Sequence, residues 1–143
     1  MQEVIVMCYL GVGAYIDGKK KEVSLAYLWV GIVLELGFLW QEWSGKDFSL
    51  GETAFRLLPG LLFLFCARLT GEKVGYGDGI LLLILGGCLA FPLIWYVWLF
   101  ALLMAAFWAG ILLCRKKANR NTRIPFIPFL WIANFIIWRI CYG

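Results

Sequence analysis

Apolar residues fall in long blocks along this chain, from about Val4 to Ile16, Val23 to Trp40, Leu50 to Leu69, Ile80 to Phe91, Pro92 to Cys114 and Ile124 to Ile140. Short polar stretches separate them. A helix crossing a bilayer needs about 20 mostly apolar residues, so the pattern predicts six helices joined by short loops. The stretch from Ile80 to Cys114 is too long for one span, and Pro92 beside Phe91 is its natural break, because proline cannot continue the hydrogen-bonded turn before it. The expectation is an all-α, polytopic integral membrane protein with six transmembrane helices in a single domain over 1–143, with spans at about 4–17, 23–40, 50–69, 78–91, 92–114 and 124–140.

Composition makes lipid the solvent. Of the 143 residues, 63% are hydrophobic and 15% charged, with a mean hydropathy of +0.84, which is too apolar for an ordinary soluble domain. Six spans leave no room for a separate soluble domain. The first block has no small-residue cleavage site after it and is followed, not preceded, by its lysines, so it reads as a retained span rather than a signal peptide.

Charge then orients the spans. With six of them, the Lys19–Lys21 cluster, the loop holding Arg68 and Lys73, and the basic linker from Arg115 to Arg123 share one side, and they hold ten of the thirteen basic residues. Lys46, Arg56 and Arg139 lie elsewhere. The positive-inside rule makes the first group cytoplasmic and puts both termini outside. The net charge of +4 therefore reports topology, and no nucleic-acid partner is expected.

Residue types restrict the chemistry further. There is no histidine, which excludes Ser-His-Asp and Cys-His catalysis and His-based zinc sites. The five cysteines have neither zinc-knuckle nor redox spacing, so no metal is expected, and they read as small core residues. The eight tryptophans, Trp95 and Trp98 among them, suit interface belts, and no cofactor is implied. Glu35 and Arg56 sit about equally deep in the outer leaflet and are expected to pair. Glu72 and Lys73 are expected to solvate their loop.

Two carboxylates stand out. The first block has only thirteen residues between Glu3 and Asp17, too few for a hydrocarbon core of ~30 Å, so its helix must continue through Asp17. The fourth is similarly short, which draws Asp78 to the membrane boundary on the same side. Taken singly, Asp17 reads equally well as a solvated helix end and Asp78 as a helix cap; their shared depth and side favour a joint role. Two carboxylates held together share one proton, the state in which one activates water and the other polarises a carbonyl. Glycines flank Asp78 in GYGDG, from Gly75 to Gly79, and leave a backbone that a substrate strand could approach.

These features resemble the type IV prepilin peptidases, membrane aspartic proteases of the Gly-x-Gly-Asp class, over nearly the whole chain. AYID, ending in Asp17, matches the family's first catalytic aspartate at the end of span one. GYGD, ending in Asp78, matches the second at the start of span four. IPFIPFL, from Ile124 to Leu130 and including Pro125, Phe126, Pro128 and Phe129, matches the element before the last span. Val23 and Ser24 stand where the family usually has Ile-Pro, and Ile127 where it usually has Gly. The resemblance implies a catalytic pair of Asp17 and Asp78, with Gly75, Gly77, Gly79 and the two Pro-Phe pairs binding substrate or supporting the motifs. The substrate would be a prepilin-like or preflagellin-like protein, cut after a short basic leader at the cytoplasmic face of a prokaryotic cell membrane. Without the paired Cys-x-x-Cys insertion of the larger bacterial enzymes, cleavage without N-methylation is implied.

Two other readings remain. A Ser-Lys peptidase would use Ser24 and one of Lys19–Lys21, and it needs a buried lysine of lowered pKa, which a basic loop does not offer. A small transporter or channel would use Asp17 and Asp78 to bind a cation or relay protons, and the internal repeats that favour such a reading are absent.

Overall fold

A backbone surrounded by hydrocarbon has no water to bond with, so each apolar block satisfies its N–H and C=O groups internally and coils into a helix. The computed structural model describes residues 1–20, 23–46, 48–71, 75–116 and 124–143, and these form six helices: α1 (Gln2–Lys20), α2 (Leu25–Ser44), α3 (Leu50–Leu69), α4 (Tyr76–Cys88), α5 (Leu93–Cys114) and α6 (Ile127–Tyr142). The fold is all-helical, as expected. Three of the helices, α2, α3 and α5, are long and apolar enough to cross a membrane. The other three are shorter or more polar: α4 has 13 residues, α6 has 16, and α1 ends in Lys19 and Lys20.

The close approaches between helices fix their directions. Gly13 lies under the Tyr27 hydroxyl and Gly31 under that of Tyr9, so α1 and α2 are antiparallel. Val23 meets Gly77 and Glu35 meets Gly87, so α2 and α4 are parallel. Leu64 meets Gly79 while the Arg56 carbonyl meets Gly86, so α3 and α4 are antiparallel. Gly11 lies against Trp131, and Met7 accepts a hydrogen bond from Asn134, so α6 runs antiparallel to α1. The ends of α1 and α3 and the starts of α2, α4 and α6 therefore gather at one end of the bundle.

At the centre stands α4. Gly79, Leu81, Leu82, Ile84, Leu85, Gly86, Gly87 and Cys88 are all buried, as expected of a helix that is apolar on every side. Small residues let backbones approach closely, the usual means of helix association where there is no hydrophobic drive. At Gly86 a Cβ would stand 2.5 Å from the Arg56 carbonyl oxygen, and at Gly60 one would stand 2.6 Å from the Leu83 nitrogen, so neither position accepts a side chain without moving backbone.

Pro59, inside α3 and fully buried, removes the N–H that would reach the Phe55 carbonyl. The indole Nε1 of Trp95 on α5 donates to that carbonyl at 3.1 Å instead. Trp95 thus ties two helices together rather than serving only an interface belt.

The expected pairing of Glu35 with Arg56 is corrected. Arg56, 4% exposed, donates to both carboxylate oxygens of Glu42, at 2.7 and 3.0 Å, and to the Leu89 carbonyl at 3.5 Å. The cause is α4, which stands between the two side chains: Glu35 packs on Gly87 and the Arg56 backbone on Gly86. Past the end of α4 at Cys88 the way is clear, and Arg56 reaches Glu42 there.

The break at Pro92 is found, with α4 ending at Cys88, α5 starting at Leu93 and the Phe91–Pro92 peptide bond cis. The last helix starts at Ile127 rather than Ile124. Pro128 occupies its first turn, where no N–H is needed, and Pro125 lies outside it, so the prolines set the helix start.

Candidate active site

Asp17 lies in the last turn of α1 and is only 4% exposed. A carboxylate so placed needs a donor. It finds one in the main-chain N–H of Ile127, which reaches Oδ2 at 3.3 Å. Ile127 is the first residue of α6, so this N–H is one of the donors that a helix start leaves without an internal partner, and the positive end of the helix dipole faces the carboxylate. The IPFIPFL segment is thereby brought onto Asp17. Phe126, buried, stacks on Phe63 of α3 with ring centroids 5.3 Å apart and holds the segment against the bundle. Pro125, Pro128 and Phe129 are half-buried beside it.

Asp78 stands in the first turn of α4, three residues after the cap Gly75, and is half-buried. An acidic group there complements the helix dipole. Its carboxylate turns back over the cap, where a Cβ on Gly75 would be 3.0 Å from Asp78 Oδ2. At Gly77 a Cβ would meet Val23 at 3.1 Å, and at Gly79 it would meet Leu64 Cδ2 at 2.6 Å. The sequence suggested that these glycines leave backbone open to a substrate strand. In the structure the chain's own atoms fill the space beside each: a carboxylate, the start of α2 and the flank of α3.

Val23 also relates the two aspartates. Tyr9 lies beside Gly31 and Tyr27 beside Gly13, so the last turn of α1, which carries Asp17, lies at the end of the bundle where Val23 leads into α2. Val23 in turn touches Gly77, the residue before Asp78. Asp17 and Asp78 therefore occupy the same end of the bundle, on α1 and α4. Lys19, Lys20, Arg68, Arg115 and Lys116 mark that end too, at the termini of α1, α3 and α5. Lys21, Glu72, Lys73 and most of the basic linker lie outside the described residues.

Sequence reasoning did not find Val23, Leu64 or the Ile127 N–H as neighbours of the aspartates. Gly13 and Gly31 were the available signal for how α1 meets α2, since a glycine inside an apolar helix marks a close approach.

No family model matches the chain, and no solved structure matches it. Curated proteins do. It is 29% identical over 140 residues to the prepilin leader peptidase/N-methyltransferase of Xanthomonas campestris pv. campestris, covering 94% of this chain and 48% of that protein. It is 32% identical over 121 residues to the protein of the same name from Aeromonas hydrophila, covering 80% of this chain and 39% of that one. The chain belongs to the prepilin peptidase family. It spans about half the length, or less, of the curated relatives it matches. The fold gathers the segments AYID, GYGD and IPFIPFL at one end of the helical bundle.

Proposed function

We propose that this member of the prepilin peptidase family is an intramembrane aspartic endopeptidase that removes the short basic leader from prepilin-like or preflagellin-like proteins. The observation that carries the reading is the placement of Asp17: a carboxylate almost shut from solvent, held by the Ile127 N–H, at the bundle end where Asp78 opens the buried α4. Two acids confined to one such region share a proton. The ionised one takes a proton from a water molecule as the water attacks the scissile carbonyl, and the protonated one donates a hydrogen bond to the carbonyl oxygen. Collapse of the tetrahedral intermediate then returns a proton to the leaving amine. All six helices cross the cell membrane in this proposal. The basic helix ends make the aspartate end cytoplasmic, with both termini outside. No two cysteines have Cys-x-x-Cys spacing, so the proposal is limited to hydrolysis.

The test co-expresses a candidate pilin precursor with the wild type, Asp17→Asn or Asp78→Asn and follows leader removal on a gel. Both variants should accumulate uncut precursor at wild-type enzyme levels. Cleavage that survives either substitution overturns the aspartate pair, and uptake of a cation lost in both, with no cleavage by the wild type, replaces it with transport.

A further inference from the structure

Tyr9 and Tyr27 form a reciprocal lock between α1 and α2. The Tyr9 hydroxyl donates to the Tyr27 carbonyl at 3.0 Å, and the Tyr27 hydroxyl donates to the Tyr9 carbonyl at 2.9 Å. Their rings lie 4.3 Å apart and 3° from parallel. Both residues are 8% exposed, so in these surroundings two hydrogen bonds without water competition are strong and directional. Main-chain carbonyls in mid-helix already accept an intrahelical bond, and the second lone pair of each is what the hydroxyl takes. No side chain other than hydrogen fits at Gly13 or Gly31 beneath the two hydroxyls. The chain thus spends two glycines, at a cost in helix propensity, on admitting two tyrosines.

The lock lies near the aspartates without touching them. Two helical turns separate Tyr9 from Asp17, and Tyr27 stands in the first turn of α2, whose cap Ser24 directly follows Val23, which rests on Gly77 beside Asp78. Through α2, the placing of α1 is thereby transmitted to the head of α4. An apolar contact such as Val23 on Gly77 limits how near two helices come but tolerates sliding along the axis. Paired hydrogen bonds to main-chain atoms do not.

We infer that Tyr27, acting with Tyr9, is a positioning residue for the peptidase reaction: it sets the axial register of α1 on α2, and hence the height of Asp17 relative to Asp78. This rests on the reading of the two aspartates as the catalytic pair. A carboxylate displaced along its helix loses alignment with the reacting carbonyl and water, which lowers turnover rather than substrate binding.

The experiment uses the full chain in proteoliposomes with a purified pilin precursor. Tyr27→Phe and Tyr9→Phe keep the stacked rings and remove one hydroxyl each. Each should lower kcat about tenfold with KM within about twofold, at a melting temperature only a few degrees lower, and the double variant should lose little more activity than either single one, because the two bonds act as a unit. A second arm reads register without activity. Asp17→Cys and Asp78→Cys are combined in a background with the native cysteines replaced by serine, and a short bifunctional thiol reagent measures their separation. Adding Tyr27→Phe should reduce cross-linking several-fold. Unchanged cross-linking together with unchanged kcat overturns the inference, as does a loss confined to KM. Reduced cross-linking in a chain whose Asp17→Asn variant still cleaves would leave the positioning intact and sink the catalytic reading instead.

Discussion

The main-chain N–H of Ile127 meets Oδ2 of Asp17 at 3.3 Å across 110 positions of sequence. The reach of the side chain is therefore as important as its charge. Asp17→Glu keeps the acid but adds a methylene, which carries the carboxylate beyond this donor in a site with 4% exposure. Leader cleavage should fall about 100-fold, a loss typical of a displaced acid–base group, with the protein still inserted. Wild-type rates in the variant would show that this hydrogen bond does not govern the chemistry.

Gly77 and Val23 make a second, reversible test. Adding a side chain at Gly77 meets Val23 Cβ and Cγ2 at 3.1 Å, a distance the neighbour must relieve by moving a few tenths of an ångström. Gly77→Val goes further and should wedge α2 from α4, reducing cleavage by more than tenfold. Combining it with Val23→Ala frees that volume and should restore much of the rate. If Val23→Ala gives no recovery, Gly77 answers to something other than this contact.

Arg56 and Glu42 are unequally exposed, the side chains showing 4% and 29% of their surface. Removing one partner leaves a charge unmatched near the buried end of α4. Glu42→Gln should lower stability in detergent by about 2 kcal/mol, a value reduced from that of a fully buried pair because Glu42 is partly screened. The double replacement Arg56→Met with Glu42→Gln should recover most of the loss, since no unpaired charge is left. Thermal unfolding followed by size exclusion gives the answer, and a double variant worse than the single one would contradict the pairing argument.

Pro59 and Trp95 form a thermodynamic cycle. Trp95→Phe leaves the Phe55 carbonyl without its indole donor and should cost about 1 kcal/mol. In a Pro59→Ala background residue 59 regains an N–H that can serve the same carbonyl, so the Trp95→Phe penalty there should shrink by at least half. Equal penalties in both backgrounds would mean that the indole contributes by packing alone.

Element number and direction were legible in the sequence because helix formation in lipid needs only length and apolarity. The third block and α3 coincide at Leu50–Leu69, and the break beside Pro92 follows from the chemistry of proline. Facing relationships were not legible. A helix such as α4, apolar all round, carries no mark of which neighbour it will meet, and so the sequence put Glu35 opposite Arg56 without knowing that α4 would stand between them. Asp17 was recognisable from its position at the end of a short block. Its donor was not, because a main-chain N–H has no residue signature and lies 110 positions away. The glycines of GYGDG were conspicuous, yet only the packing shows Asp78, Val23 and Leu64 in the space beside them.

Thirteen residues make α4 about 20 Å long, some 10 Å short of a hydrocarbon core. Such a rod cannot partition into a bilayer unaided, because its two ends would leave open carbonyls and N–H groups in lipid. Its natural escort during synthesis is α3, which precedes it, runs antiparallel to it and meets it at Gly60, Gly79 and Gly86. Under the six-span proposal the two would enter as one hairpin, with the Arg56 guanidinium, carried in on α3, serving the Leu89 carbonyl at the far tip. Under the same proposal Asp78 would owe its depth to its neighbour, and damage to the α3 face should appear first as failed biogenesis of the segment that bears it.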